Sequence, residues 1–173
     1  MKTQLDDYQS TDGFASSNPT TEEDKKYFEH IRQESEKYAY EQLVQSYGKE
    51  NVKWLNENGE SFNSYDYSVH TNESNLFIDC KGTPGLKKTF YMSLSEWFFF
   101  LDCMKQGDKF QIYRVFNVDK NNMHLVIIDD LENWIKEKKI VPSLPATEHI
   151  KGGRVFLTLT DKASASIPLL KTS

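Results

Sequence analysis

Between residues 20 and 48 apolar side chains return every three or four positions. At about 100° per residue, Phe28, Ile31, Ala39, Leu43 and Tyr47 share one broad face, which predicts an amphipathic helix. Thr20 or Thr21, with Glu23 or Asp24 three residues on, supplies a capping box, and Gly48 stops the helix near Tyr47. Glu36 projects from inside the apolar arc, with Arg32 and Glu29 near it, whereas Glu34, Lys37 and Glu41 point away. Strand candidates follow: "NVKWLN" (51–56), "SYDYSVH" (64–70), "NLFIDCKG" (75–82) and "KKTFYMS" (87–93), punctuated by Gly59, "TNES" and Pro84-Gly85. A second helix starts at Ser93, with Glu96 completing its capping box, and its wall of aromatics in "EWFFFLDCMK" implies deep burial up to Gly107. Two β-rich runs come next, "KFQIYRVFNV" (109–118) and "MHLVIID" (123–129), then a short helix "DLENWIKEKK" and a last strand "RVFLTLT" (154–160). This order predicts an α/β (α+β) layer domain, a mixed central sheet flanked by helices.

Residues 1–20 show no apolar period and are rich in Ser, Thr, Asp and Asn, so they read as a disordered acidic leader or linker of the kind that joins a domain to something larger. The formal charge of −5 sits there: residues 1–24 hold one basic and six acidic side chains, and the remainder is neutral. Neutrality argues against a strong general nucleic-acid binder but leaves room for one basic face. Lys81, Lys87 and Lys88 are candidates for it, and Lys136, Lys138, Lys139, Lys151 and Arg154 form a second group; ordinary solvated lysines are the alternative. No apolar run approaches the roughly 20 residues that cross a bilayer, and no signal peptide is evident, so no membrane partner is expected. Two cysteines, Cys80 in a strand and Cys103 in a helix, give no disulfide framework and suggest a reducing, cytoplasmic setting. Four scattered histidines give no zinc-ligand spacing.

The chemistry concentrates in "YDY" (65–67) and "FIDCK" (77–81). Alternation puts Phe77, Asp79 and Lys81 on one face of their strand and Ile78 and Cys80 on the other. If "TNES" (71–74) is a hairpin loop, His70 faces Asn75 and, counting back, Asp66 faces Asp79. Directly opposed like charges are destabilising, so something must compensate. A hard divalent cation would do so, since it takes carboxylate oxygens together with water and substrate phosphate. Lys81 stands where an ammonium could stabilise charge developing on a phosphate. The alternative is a surface hairpin in which Asp66 binds a turn and Asp79 pairs with Lys81 or another base.

An aspartate followed by (D/E)-x-K on the next strand, preceded by a Glu-bearing helix, resembles the PD-(D/E)xK nuclease superfamily. More narrowly, residues 26–129 resemble the C-terminal domain of NO VEIN proteins, a domain of unknown function. The likeness rests on "ESEKYAYEQL", "VKWLNENGES", "YDYSV", "IDCKGT", "MSLSEW" and "YRVFNV". In "IDCKGT" the family usually reads isoleucine, glutamate, valine, lysine, glycine, so Asp79 replaces a longer acid. The resemblance implies a restriction-endonuclease-like α-β-β-β-α-β core over residues 21–129, with 130–173 as a C-terminal extension carrying a short helix and a strand. It implies that Asp66, Asp79 and Glu36 hold Mg²⁺ or Mn²⁺, that the Cys80 carbonyl completes the metal shell, and that Lys81 is the catalytic lysine. The expected activity is phosphodiester cleavage, in DNA ahead of RNA, within a larger restriction, repair or defence protein. The alternative is an inactive nuclease-fold module for nucleic-acid binding or protein docking. Trp97, Tyr113 and Arg114 also match the family at positions suited to core packing.

Overall fold

Thr21 caps the first helix: its hydroxyl accepts the Asp24 N–H at 3.0 Å, and Asp24 Oδ2 accepts the Thr21 N–H at 3.1 Å. In this computed structural model residues 21–59, 61–70, 75–144 and 153–167 are described. The expected leader, 1–20, and the expected hairpin loop, 71–74, lie outside them. Helix α1 runs Glu22–Tyr47 and buries Ile31, Ser35, Glu36, Ala39 and Leu43. Ala39 and Leu43 pack on Val52 of β1 (Val52–Trp54), on Tyr67 and Val69 of β2 (Tyr67–His70), and on Leu76 and Ile78 of β3 (Asn75–Gly82).

Strand β4 (Thr89–Ser93) leads straight into α2 (Leu94–Gln106), whose capping box is the predicted one: Ser93 Oγ accepts the Glu96 N–H, and Glu96 Oε2 accepts the Ser93 N–H. β5 (Lys109–Phe116) then returns parallel to β3, and β6 (His124–Ile128) pairs antiparallel with β5. The result is a mixed five-stranded sheet in the order β1-β2-β3-β5-β6. Its α1-β1-β2-β3-α2-β5 path follows the expected core order, and the α/β (α+β) expectation of a mixed sheet flanked by helices holds.

β4 departs from that scheme by leaving the central sheet. It pairs with β8 (Arg154–Leu159), which pairs with β7 (Ile140–Ser143), in a separate sheet of order β4-β8-β7. Beside the expected short helix α3 (Leu131–Lys136) and strand β8, the extension therefore holds a further strand, β7, and a further helix, α4 (Asp161–Ser166). One apolar core joins everything on this side: Phe90 and Met92 of β4, Phe100 of α2, Phe110, Ile112 and Phe116 of β5, and Leu157 and Leu159 of β8. The central sheet is thus covered by α1 on one face and by α2 and the second sheet on the other. Among the described residues no helix is long and apolar enough to cross a membrane.

Candidate functional site

The β2–β3 ladder has the register counted from the sequence, from His70↔Asn75 to Tyr67↔Ile78. It stops one residue short of the aspartates. Asp66 lies just before β2, where its N–H donates to the Ile78 carbonyl at 2.9 Å and its Oδ2 accepts the next free donor, Cys80 N–H, at 2.6 Å. Oδ1 accepts from Asn56 Nδ2 at 2.7 Å, and Asn56 Oδ1 is itself held by the Ser61 N–H at 2.9 Å and hydroxyl at 2.7 Å. The loop after β1 thereby fixes the carboxylate from the other side.

Asp79 points to the α2 face of β3 and is 2% exposed. Lys81, two residues on and on the same face, brings Nζ to 3.0 Å from Asp79 Oδ2 and 2.9 Å from Glu96 Oε1. Asp79 Oδ2 is buried and, among the described residues, has Lys81 as its one polar neighbour, held as an ion pair. Glu96 has a double task, with one oxygen on the helix cap and the other on Lys81.

On the opposite side of β3, Glu36 is 2% exposed. Arg32 Nη1 donates to its Oε1 at 2.7 Å and Trp54 Nε1 to its Oε2 at 3.1 Å, while the Tyr67 hydroxyl donates to its backbone carbonyl at 2.7 Å. Gly82 allows this approach of α1 to β3, since a Cβ there would stand 2.5 Å from Ser35 Oγ and 3.3 Å from the Ile31 carbonyl.

The electrostatics follow from burial. Desolvation, then the negative charge of Glu36, push the Asp66 carboxyl up to about 7 from an ordinary 3.8, against the pull of Lys81. Desolvation, then Glu96, raise Asp79 well above the usual carboxylate range. Burial alone would lower Lys81, yet Asp79, Glu96 and Asp66 together hold its ammonium well above the ordinary value. Desolvation, then Asp66 and Glu36, drive the Cys80 thiol well up, which leaves it neutral; the part of Cys80 that can serve an ion is its carbonyl.

Of the predicted side chains, Asp66, Asp79 and Lys81 thus meet at one end of β3, whereas Glu36 stays on the α1 side and reaches the group only through its charge on Asp66. The features of the alternative hairpin are also present, because Asp66 binds a neighbouring loop and Asp79 faces Lys81, but Asp79 is buried and Asp66 half-buried rather than on the surface. Among the described residues no group of three or more His, Cys, Asp or Glu side chains is drawn together tightly enough to hold a metal ion. The donor chemistry does suit a hard cation: the Asp66 and Asp79 carboxyls are raised by burial and neighbouring negative charge, and every candidate donor is oxygen.

From the sequence Glu96 reads only as a cap, and Asn56 and Trp54 carry no role. The signal for Glu96 was its place at the start of a helix that follows the lysine strand. Arg114, read as a packing residue, is 2% exposed, stacks over Phe90 and Phe116, and donates from Nη1 to the Lys81 carbonyl and from Nη2 to the Lys87 carbonyl, both at 2.8 Å. It braces the backbone under Lys81 without a carboxylate partner among these contacts, and burial lowers its pKa to about 9.

The family model described as Protein NO VEIN, C-terminal, matches residues 35–128. The searches of curated proteins and of solved structures found no match to the chain.

Proposed function

This chain belongs to the NO VEIN C-terminal family, a domain of unknown function, and on that premise we propose that its buried acidic site is the metal-dependent phosphodiesterase centre of a PD-(D/E)xK-type nuclease. The observation that carries the reading is the excess of carboxylates around one lysine: Asp79 and Glu96 pair with Lys81, Asp66 adds its charge, and the buried Asp79 has no other cation beside it among the described residues. Such an arrangement needs protons or a cation to offset its repulsion. Asp66 and Asp79 would hold Mg²⁺ or Mn²⁺ with the Cys80 carbonyl, and Glu36 would add negative charge from the α1 side. The ion, when bound, polarises a phosphoryl oxygen and lowers the pKa of bound water. Lys81 keeps its proton, supported by Glu96, and faces the developing charge of the phosphate as a fixed ammonium. The substrate is nucleic acid, DNA ahead of RNA, and the setting is a larger restriction, repair or defence protein in the cytoplasm.

A second reading, a nuclease-fold module that binds without cleaving, draws on a different observation. Both Glu36 oxygens are already engaged by Arg32 and Trp54, and Lys81 is tied between two acids. Calorimetric titration with Mn²⁺, with and without a short DNA duplex, separates the two. Binding that disappears in Asp79→Ala, followed by metal-dependent cleavage, is the expected result; no Mn²⁺ binding in either condition leaves the binding module.

A further inference from the structure

The second sheet turns one face to the core through Phe90, Met92, Val155 and Leu157. By alternation its other face carries Thr89, Tyr91 and Ser93 on β4 and Arg154, Phe156 and Thr158 on β8. Tyr91 and Phe156 are directly paired across the strands, with ring centroids 6.3 Å apart and planes at 62°. Both rings are partly exposed, and neither belongs to the apolar core.

Two cations reach the Tyr91 ring. The Arg154 guanidinium lies 4.2 Å from its centroid and Lys81 Nζ, from the acidic site, 6.0 Å from it. Arg154 is the one charged side chain in β4, β7 and β8, which contain no acid, and among the described residues no carboxylate pairs with it. A guanidinium stacked on an aromatic ring is held in orientation while its N–H groups remain free to donate. The face therefore joins a pre-oriented phosphate donor, a second ring and the lysine of the candidate active site.

We infer that this outer face of β4 and β8 binds an unpaired nucleic-acid strand, with Arg154 on a backbone phosphate and Phe156 under a base, and leads that strand toward Lys81. The Arg154 guanidinium, which no carboxylate pairs among the described residues, selects a phosphate. The rings select unpaired nucleotides, because a duplex hides its base faces while a single strand can stack them on aromatic side chains. The inference builds on the proposed function in one respect, that the strand is led to the acidic site; binding itself does not need that site to be active.

The test is binding of a fluorescent single-stranded oligodeoxynucleotide, and of its duplex, by anisotropy over a salt series in chelator. The expected result is a single strand bound more tightly than the duplex. Arg154→Ala should weaken it about tenfold and reduce the magnitude of the log–log salt slope by about 0.7 per lost phosphate contact. Phe156→Leu should weaken single-strand binding with the slope unchanged, and Arg154→Lys should retain the slope. Wild-type affinity in both Arg154→Ala and Phe156→Leu, equal preference for duplex, or no binding by the wild-type chain at low salt would each overturn the inference. A Mn²⁺ titration of the same proteins keeps the two readings apart. Metal binding lost in Asp79→Ala but kept in Arg154→Ala leaves the acidic site standing whatever the oligonucleotide result, and oligonucleotide binding without any Mn²⁺ binding sinks the phosphodiesterase reading alone.

Discussion

At the scale of the residue, the raised Asp66 carboxyl gives stability a direction with pH. An acid whose folded pKa exceeds its unfolded value binds its proton more tightly in the native chain, so stability is highest below the unfolded pKa and falls as pH rises through the folded one. For Asp66 that window runs from an ordinary 3.8 to about 7, and Asp79, raised in the same sense, adds to the fall. In chelator, the melting temperature of the wild-type chain is expected to drop across this window and Asp66→Asn to show a shallower drop, checked by calorimetry at a series of pH values; parallel curves would contradict the burial of Asp66 as a charge. The carboxylates and the lysine were legible in the sequence because strand alternation and one counted hairpin register suffice to bring Asp66, Asp79 and Lys81 together. Glu96 was legible only as a cap. Its second oxygen meets Lys81 because β4 swings to another sheet before α2 begins, and no local spacing rule contains that turn.

At the scale of the element, the site depends on how closely α1 lies on the end of β3. Gly82 is required there by space: its missing Cβ leaves room for Ser35 Oγ, 2.5 Å from where that atom would be. Gly82→Ala is therefore expected to lose about 1–3 kcal/mol by forcing helix and strand apart, and to weaken Mn²⁺ binding by moving Glu36 away from Asp66. Urea denaturation measures the first effect and calorimetry the second. Adding Ser35→Gly should recover part of the lost stability, since the two substitutions act on one contact; additive losses would place the strain elsewhere. The helices and long strands were readable from periodicity and caps, and α1, β3 and α2 lie within a residue or two of expectation. β7 was not, because it is four residues long and contains Pro142, which is tolerated because β7 is an edge strand of its sheet. α4, "DKASAS", has no apolar period to reveal it, and Thr160 as N-cap was its one local signal.

At the scale of the molecule, the question is whether residues 21–129, which enclose the family match, form the working unit by themselves. The central sheet, α1 and α2 all lie within them, as do the four candidate site residues. The second sheet does not: β4 is in the first part and β7 and β8 are in the extension, so cutting after residue 129 leaves β4 with no strand to pair with. Phe90 and Met92 would lose their cover, and two such side chains returned to water cost about 3–6 kcal/mol, a large share of the 5–15 kcal/mol typical of a whole domain. The damage would also reach the site. β8 begins where Gly153 accepts the Leu94 N–H at 3.0 Å, which fixes the first turn of α2, and Glu96 holds Lys81 from that turn. We therefore propose that the extension and the core are one cooperative unit, and expect a chain ending at residue 129 to lose its sharp urea transition and its Mn²⁺ binding together. Retention of both would make the core self-sufficient and the second sheet an addition that serves the substrate alone.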